Sequence, residues 1–334
     1  MLFKLKMIRF LADITSSFIS SLIPVNKKLV LFHGSSISNY NESTRYLYEH
    51  MLDNSNLSVV WMTDSNIVYE YLLKLNRPVV FHRSLLGMFH YIRAGCVVGN
   101  GTSYPSLLGF TGRNSIKICL HHGMGPRSTN SADESRYKKS NQIVKLYSSF
   151  DYFNSTSKFT NIAVARLQFL IPKSKRIIYG MPRCDHLFDH EKNNRLKIKK
   201  PFLNSLDLKI SKNSKCILYS PTWRPGPNST SFPLTLLNGF DLSNFDTWLS
   251  ENDIFIYISV HPHVKDFEDF SGLSNISYLK QSPLTDINQV LPEIDLLITD
   301  YSSIATDFMI LNRPVIYVMP DYEYYLNEFG LLED

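Results

Sequence analysis

The chain has 334 residues, enough for two ordinary domains, and its 44% hydrophobic and 19% charged residues exclude a disordered protein. Four widely spaced cysteines, with no Cys-x-x-Cys pair among them, argue against a disulfide framework or a zinc site. The net charge of +5 is unevenly placed: residues 1–28 carry five Lys and Arg against one Asp, whereas 286–334 carry ten acidic residues and one Arg. This division argues against nucleic-acid binding.

The first 27 residues predict an amphipathic, basic helix. One face of its helical wheel is apolar: Phe3, Met7, Leu11, Ile14, Phe18 and Leu22. The run at 10–25 contains Asp13 and is too short to cross a membrane, and no cleavage site of a secretory signal follows it. Two interpretations are open: residues 1–28 dock on anionic lipid, or the helix packs on its own domain.

From residue 28 onward, strands alternate with helices. Apolar runs in the first half predict strands at 28–36, 58–65, 78–82, 96–100, 115–123, 152–157 and 176–185. Helical patterns follow around Tyr46 and Met51, at 66–75 and at 84–94. The alternation predicts a parallel α/β sheet over 28–188.

A polar stretch rich in Lys and Asn, at 189–213, predicts a linker. Beyond it the pattern restarts over 214–334. Strands are predicted at 216–224, 254–262 and 278–280, with a helix near 243–251, and residues 293–321 indicate a strand, a hydroxyl-rich turn, a short helix and a second strand. The chain therefore predicts two α/β halves.

Polar motifs follow five of the predicted strands. They are His33-Gly34, His121-His122-Gly123, Pro221-Thr222-Trp223-Arg224, His261-Pro262-His263 and Ser302-Ser303. In open α/β sheets ligands bind at the carboxyl edge of the strands, so five motifs in this register favour a binding function.

The turn at 299–303 has two interpretations. Ser302 is a common type of helix N-cap, and a helix start with two serines is also a natural phosphate site. Arg224 could grip a diphosphate through its guanidinium fork, and His261 could donate to a phosphate oxygen. Taken alone, Arg224 is better explained as a surface arginine, and His261 could be a capped loop histidine.

A general base is available in the first half. His122 lies in a Gly-flanked turn and could accept a proton at neutral pH, although the adjacent His121 could do the same. Gly180 to Asp185 favour a turn, with a contact to a ligand as the alternative.

Taken together, these motifs resemble the CDP-glycerol glycerophosphotransferase family of teichoic acid primases and polymerases. The resemblance runs from about residue 28 to 334. It is sharpest in LYSPTWR (218–224), GMPRCD (180–185), His261-Pro262 and LLITDYSSIATDF with NRPVIY (296–317). It implies an α/β fold of the GT-B type: two Rossmann-like domains with parallel sheets facing a central cleft, an acceptor domain at 28–188 and a CDP-polyol domain at 214–334.

The resemblance also implies roles for residues. Arg224, His261, Ser302 and Ser303 would hold the diphosphate, with Thr299 and Asp300 close by. Asp307 would contact a ribose or glycerol hydroxyl or stabilise its helix, and His122 would be the catalytic base. The enzyme would transfer a polyol phosphate, preferably glycerol phosphate, from CDP-glycerol or CDP-ribitol and release CMP, without an essential metal.

The chain departs from the family pattern Trp-His-Gly-Thr-Pro-Leu-Lys, since residues 121–127 read HHGMGPR. That segment faces the acceptor in the family, so the acceptor is expected only as a lipid-linked or glycan hydroxyl, met at the cytoplasmic face of a bacterial membrane during teichoic-acid-like or capsular polymer synthesis. Family members continue past the position of Asp334, so a fragment or a short member is expected. Two alternative functions are a glycosyltransferase using a nucleotide sugar and a non-catalytic membrane scaffold.

Overall fold

The computed structural model describes residues 23–101, 115–123, 144, 147–193, 210, 211, 213–223, 231–260, 264, 267–280 and 282–329. These residues form two compact units. Unit 1 holds the described residues up to 122, those of 131–183 and residues 282–286. Unit 2 holds the described residues of 123–130, 184–281 and 287–334. The predicted helix at 1–27 lies almost entirely outside the described residues.

Unit 1 is built on a sheet of seven described strands, which are β1 (Asn26–Phe32), β2 (Ser58–Thr63), β3 (Val79–Phe81), β4 (Ala94–Gly99), β5 (Ile116–Cys119), β6 (Tyr152–Ser155) and β7 (Arg176–Ile178). Every neighbouring pair is parallel, and the order is β3-β2-β1-β4-β5-β6-β7. The order reverses between β1 and β4, which is the switch point of a doubly wound sheet.

Helices connect the first strands of this sheet: α1 (Glu42–Asn54), α2 (Asn66–Lys74) and α3 (Leu85–Arg93). Ser65 and Ser84 cap α2 and α3 by accepting hydrogen bonds from Val68 and Gly87 amides. A short helical stretch covers residues 158–166 before β7. The connections are those of repeated βαβ units, as the alternation predicts.

Side chains of β1 are buried on both faces of the sheet. Val30 and Phe32 pack into one apolar cluster, and Leu29 and Leu31 pack into another on the opposite face. This explains why β1 is a continuous apolar run, because parallel strands covered on both faces have no polar side.

Unit 2 repeats the plan with five described strands: β8 (Lys215–Ser220), β9 (Ile254–Ile258), β10 (Ile276–Tyr278), β11 (Leu296–Thr299) and β12 (Val315–Tyr317). All pairs are parallel in the order β10-β9-β8-β11-β12, so the order reverses between β8 and β11. The helices are α4 (Pro182–Asn193), α5 (Leu242–Glu251), α6 (Ile287–Val290), α7 (Ile304–Phe308) and α8 (Tyr322–Phe329), and the first two residues of α4 belong to unit 1.

Strands β1 to β9 each end before the predicted range does, because those ranges include the turns that follow, and two further elements differ from the prediction. Strand β10 begins at the buried Ile276, two residues before the predicted 278–280. Helix α4 begins at Pro182, where the fixed φ of proline suits a first helical turn, and extends into the stretch 189–213 that the sequence predicts as linker. Leu187 anchors this helix in the core of unit 2. Among the helices in the described ranges, none has the length and apolar character that crossing a bilayer requires.

Candidate functional site

The loops that follow β8 and β11 are joined at the switch point of the second sheet. The buried carboxylate of Asp300 accepts hydrogen bonds from the Thr222 amide at 2.8 Å, the Thr222 hydroxyl at 2.6 Å and the Tyr301 amide at 2.6 Å. The Thr299 hydroxyl donates to the Ser220 carbonyl at 2.7 Å. Thr299 and Asp300 thus fix the backbone at the carboxyl edge, where ligands bind in such sheets.

Ser302 and Ser303 follow at the start of α7, and both are half-buried. Ser303 occupies the N-cap position but makes no capping bond with its side chain. The Ser302 hydroxyl lies 3.5 Å from the Ile304 amide, which is at the limit for a hydrogen bond. Capping therefore accounts poorly for either hydroxyl. Since α7 has only five residues, a ligand here would depend on the hydroxyls more than on the helix dipole.

The turn at 299–303, which we call the serine turn after Ser302 and Ser303, packs against the last described helix, α8. Tyr301, just before the two serines, is buried and stacks on Tyr325 of α8, with ring centroids 3.6 Å apart and planes inclined by 8°. The stacking fixes the side of the turn that faces the interior, and the two serines that follow remain half-buried.

Asp307 lies on α7 and is 6% exposed. Its carboxylate accepts a long hydrogen bond of 3.6 Å from the Cys184 thiol on α4. Arg224 and His261, the other residues predicted to bind the donor, lie outside the described residues. The structure thus brings Thr299, Asp300, Ser302, Ser303 and Asp307 together on one turn and helix of unit 2.

His121 and His122 follow β5 at the carboxyl edge of the first sheet, and their side chains have different surroundings. His121 is 4% exposed, and its ring lies 5.3 to 5.9 Å from those of Tyr147, Phe153 and Phe169. His122 is exposed. Of the two histidines that the sequence leaves open, His122 is the exposed one and His121 the buried one.

The environment of His122 keeps its ring neutral. Dense packing and the positive charge of Arg183 lower the pKa of the imidazole from 6.5 to about 4, although a hydrogen bond with the Asn100 backbone acts in the opposite direction. Because the ring has an exposed face, water screens part of this effect. With or without this screening, the imidazole is unprotonated at pH 7, as a general base requires.

Two residues of this site have no role at the base in the sequence prediction. Arg183 is buried, forms an ion pair with Glu42 at the start of α1, and donates from Nη1 to the His122 carbonyl at 2.9 Å. Arg183 stands in the GMPRCD motif, which the sequence interpretation treats as a turn. Glu42 has no sequence signal, because it looks like any acidic residue in a first helical turn.

The placement of the His, Cys, Asp and Glu side chains bears on metal binding as well. Within the described ranges, His, Cys, Asp and Glu side chains form no group of three or more suited to holding one. The Asp300 carboxylate accepts hydrogen bonds from an amide and a hydroxyl group, as a carboxylate that anchors the backbone does.

Comparison with known proteins agrees with the fold and the motifs. A teichoic acid poly(glycerol phosphate) polymerase of Bacillus spizizenii is 28% identical over 323 residues, covering 92% of this chain and 77% of that protein. Its Bacillus subtilis counterpart is also 28% identical, and there the chain spans 40% of the relative's length. The structure of the wall teichoic acid polymerase TagF superposes with a TM-score of 0.73 at 22% identity, covering 97% of this chain and 78% of TagF, which confirms the predicted fold class.

The model of the CDP-glycerol:poly(glycerophosphate) glycerophosphotransferase family matches residues 15–334. This match takes in both units, and it confirms the family and the transferase class that the motifs predict. The chain belongs to the CDP-glycerol:poly(glycerophosphate) glycerophosphotransferase family.

Proposed function

We propose that the chain transfers glycerol phosphate from CDP-glycerol to a hydroxyl group of a lipid-linked or glycan acceptor, releasing CMP, in the synthesis of a teichoic-acid-like polymer. The observation that carries the proposal is the serine turn of unit 2. Two half-buried hydroxyls without normal capping bonds lie at the switch point of a doubly wound sheet, on a backbone anchored by Asp300.

In this proposal unit 2 binds the donor. Ser302 and Ser303 donate to the diphosphate, and Arg224 and His261 add charge and a further donor. Thr299 and Asp300 act by positioning, because the hydrogen bonds described above direct their side chains into the protein. Charge on the leaving CMP is then neutralised by side chains, without an essential metal.

Asp307 is proposed as a contact of a ribose or glycerol hydroxyl. Its burial and its bond with Cys184 favour the alternative that it stabilises α7 behind the serine turn. The two roles differ in their consequence: a hydroxyl contact affects donor affinity, whereas a supporting role affects the stability of unit 2.

Unit 1 supplies the base and receives the acceptor. The acceptor oxygen attacks the phosphorus that carries glycerol, the bond from that phosphorus to the bridging oxygen breaks, and CMP leaves with the electron pair. His122 takes the proton of the attacking hydroxyl. Because its pKa is lowered, the imidazole is unprotonated at neutral pH and has a free nitrogen lone pair to accept this proton.

A peripheral position on the cytoplasmic face of a membrane is part of the proposal, because a lipid-linked acceptor would be met there. Residues 1–28 would contribute their basic, apolar face. Unit 1 adds a second surface at 158–180, which contains five Lys and Arg and no acidic residue. Phe159, Leu167, Leu170 and Tyr179 are exposed there, by 51 to 86%. Apolar side chains among basic ones are typical of surfaces that bind anionic lipid.

The test of the donor is a product assay. Purified protein is incubated with an acceptor-bearing membrane fraction and CDP-glycerol, CDP-ribitol or a UDP-sugar, and released nucleotide is separated. CMP from CDP-glycerol supports the proposal, and CMP from CDP-ribitol changes the transferred group. Release of UDP would establish the nucleotide-sugar alternative, and failure of calorimetry to detect binding of any cytidine nucleotide would favour a non-catalytic scaffold.

Membrane binding is tested by sedimentation with vesicles of phosphatidylcholine, with and without phosphatidylglycerol. The proposal expects binding that needs the anionic lipid, and reduced binding for the double variant Arg166→Glu, Lys173→Glu and for a chain lacking residues 1–28. Equal sedimentation of all three proteins would contradict it.

A further inference from the structure

Arg183 connects two parts of unit 1 that are distant in sequence. From its place on the first turn of α4, its Nη1 contacts both the Glu42 carboxylate and the main-chain carbonyl of His122, the latter at 2.9 Å. The bond to the carbonyl acts on the backbone that carries the His122 imidazole. Any shift of the guanidinium would therefore move the base.

The guanidinium lies in the interior of the unit. Arg183 is 3% exposed and the Glu42 side chain 20%. Burying an ion pair contributes little net stability, because the loss of hydration offsets the attraction between the charges. A well-packed apolar pair would serve a purely structural purpose at least as well. The presence of the pair beside His122 points to a role in placing that residue.

The backbone is strained at both groups that Arg183 contacts, at Glu42 and next to His122. Glu42 has φ +65°, and the residue before His122, His121, has φ +60°. This left-handed region is uncommon for residues other than glycine, and strained residues concentrate at functional sites. The conformation at Glu42 lets its amide donate to Asp286 at 3.1 Å. Glu42 is thus held by its main chain while its carboxylate holds Arg183.

We propose that Arg183 and Glu42 are positioning residues, which fix the main chain at His122 and so place its imidazole to take the proton of the acceptor hydroxyl. This inference rests on the proposed function, because it takes His122 to be the base. Neither residue need touch a substrate. Arg183 acts through its hydrogen bond to the His122 carbonyl, and Glu42 acts through Arg183.

Several charged and titratable groups surround the contact. Glu42 and Asp286 are acidic, Arg45 and Tyr46 belong to the same helix as Glu42, and His121 precedes the base. The positive charge of Arg183 makes protonation of His122 less favourable, and a carboxylate paired with that arginine is expected to act in the opposite direction. Removing the arginine charge and removing the glutamate charge should therefore shift the pKa of His122 in opposite directions.

The first experiment separates geometry from charge with Arg183→Lys. Lysine keeps the positive charge, but its flexible and shorter side chain cannot hold a donor where the rigid guanidinium places Nη1, in contact with both acceptors. We expect kcat to fall by about 10²-fold, the effect of displacing a catalytic group by about 1 Å, while the Kd of CDP-glycerol in calorimetry stays unchanged. The matched control is Arg77→Lys, which alters an arginine paired with Glu49 and Asp53 on the same helix as Glu42 and should leave kcat unchanged.

The second experiment titrates the His122 imidazole by NMR in the donor-free protein, with the resonance assigned from His122→Ala. We expect Arg183→Met to raise the pKa of His122, Glu42→Gln to lower it, and Arg183→Lys to leave it near the wild-type value. Circular dichroism and CDP-glycerol binding verify that each variant is folded.

The outcomes separate this inference from the proposed function. If the wild type releases no CMP from CDP-glycerol, the proposed function fails, although the titration still reports whether Arg183 and Glu42 control His122. If the wild type is active and Arg183→Lys retains full kcat, the positioning role is overturned. Shifts of the same sign for Arg183→Met and Glu42→Gln would also overturn it.

Discussion

Asp300 and Thr222 join the two loops that flank the switch point of the second sheet. One carboxylate receives both the amide and the hydroxyl of Thr222, so the loop leading from β8 toward Arg224 is attached to the loop leading from β11 to the serines. These hydrogen bonds hold together two loops that are 78 residues apart in the sequence.

Replacing Asp300 should loosen both loops. In Asp300→Asn an amide group faces the Thr222 amide, so hydrogen bonds to a charged acceptor are lost, with about 1–3 kcal/mol of stability. We expect a weaker Kd for CDP-glycerol in calorimetry and a lower midpoint of urea unfolding. Asp246→Asn is the control, because Asp246 accepts from the Ser274 and Asn275 amides at 3.0 and 2.9 Å. The control should lose stability with an unchanged Kd, and an equal loss of affinity in both variants would contradict the prediction.

The serine turn should behave as a ligand site and not as a helix cap. Ser302→Ala and Ser303→Ala each remove a donor to a charged phosphate, worth about 1.5–3 kcal/mol, so the Kd of CDP-glycerol should rise about 10- to 100-fold. Thermal stability should change little, because neither hydroxyl makes a capping bond of normal length.

Ser84 provides the matched comparison for the serine turn. Its hydroxyl accepts from the Gly87 amide at 3.0 Å, so Ser84→Ala should lose about 1 kcal/mol of stability. The Kd should not change. A Ser303→Ala variant that loses stability as Ser84→Ala does, while keeping its donor affinity, would return Ser303 to the role of a cap.

Removal of the proposed base should affect turnover and not donor binding. His122→Ala is expected to lower kcat by about 10²–10⁴-fold, the usual contribution of a general base. Calorimetry with CDP-glycerol tests the second half of the prediction, and the half-buried His90 of α3, replaced by alanine, is the control. His121→Asn keeps a residue type that tolerates left-handed backbone. If His121→Asn loses as much turnover as His122→Ala, then His121 is the base.

Acid should destabilise unit 1 through His33. This residue is 1% exposed, and its ring packs against Gly99 where a methyl group would overlap it. Burial lowers the pKa of His33 from 6.5 to about 4. Between those values the unfolded chain binds more protons than the native one, so the stabilisation is complete above pH 6.5 and falls with pH, by ~3 kcal/mol at pH 4.

Urea unfolding of unit 1 at pH 7 and pH 4.5 measures this effect, with His33→Gln for comparison. The variant lacks the titrating ring, so its stability should depend less on pH than that of the wild type. An identical pH dependence in the two proteins would show that other groups control the acid response.

The sequence predicts the layered architecture well, because strands buried on both faces appear as continuous apolar runs such as the one in β1. It also finds the serine turn, since Ser302 and Ser303 follow directly on the apolar β11. The Arg183–Glu42 pair could not be predicted in this way. Its members are 141 residues apart, and their pairing follows from the tertiary fold, not from any local pattern. The sequence also cannot tell which of His121 and His122 is exposed, because the aromatic rings that bury His121 are brought to it by the tertiary fold.

The stack of Tyr301 on Tyr325 gives the protein an intrinsic optical reporter. Two parallel phenol rings at 3.6 Å, both held in the interior, couple their electronic transitions and produce a near-ultraviolet circular dichroism band. Since Tyr301 adjoins Ser302, a nucleotide that reshapes the turn would alter this band. Donor occupancy could then be followed by spectroscopy in an unlabelled protein, without an acceptor and without turnover.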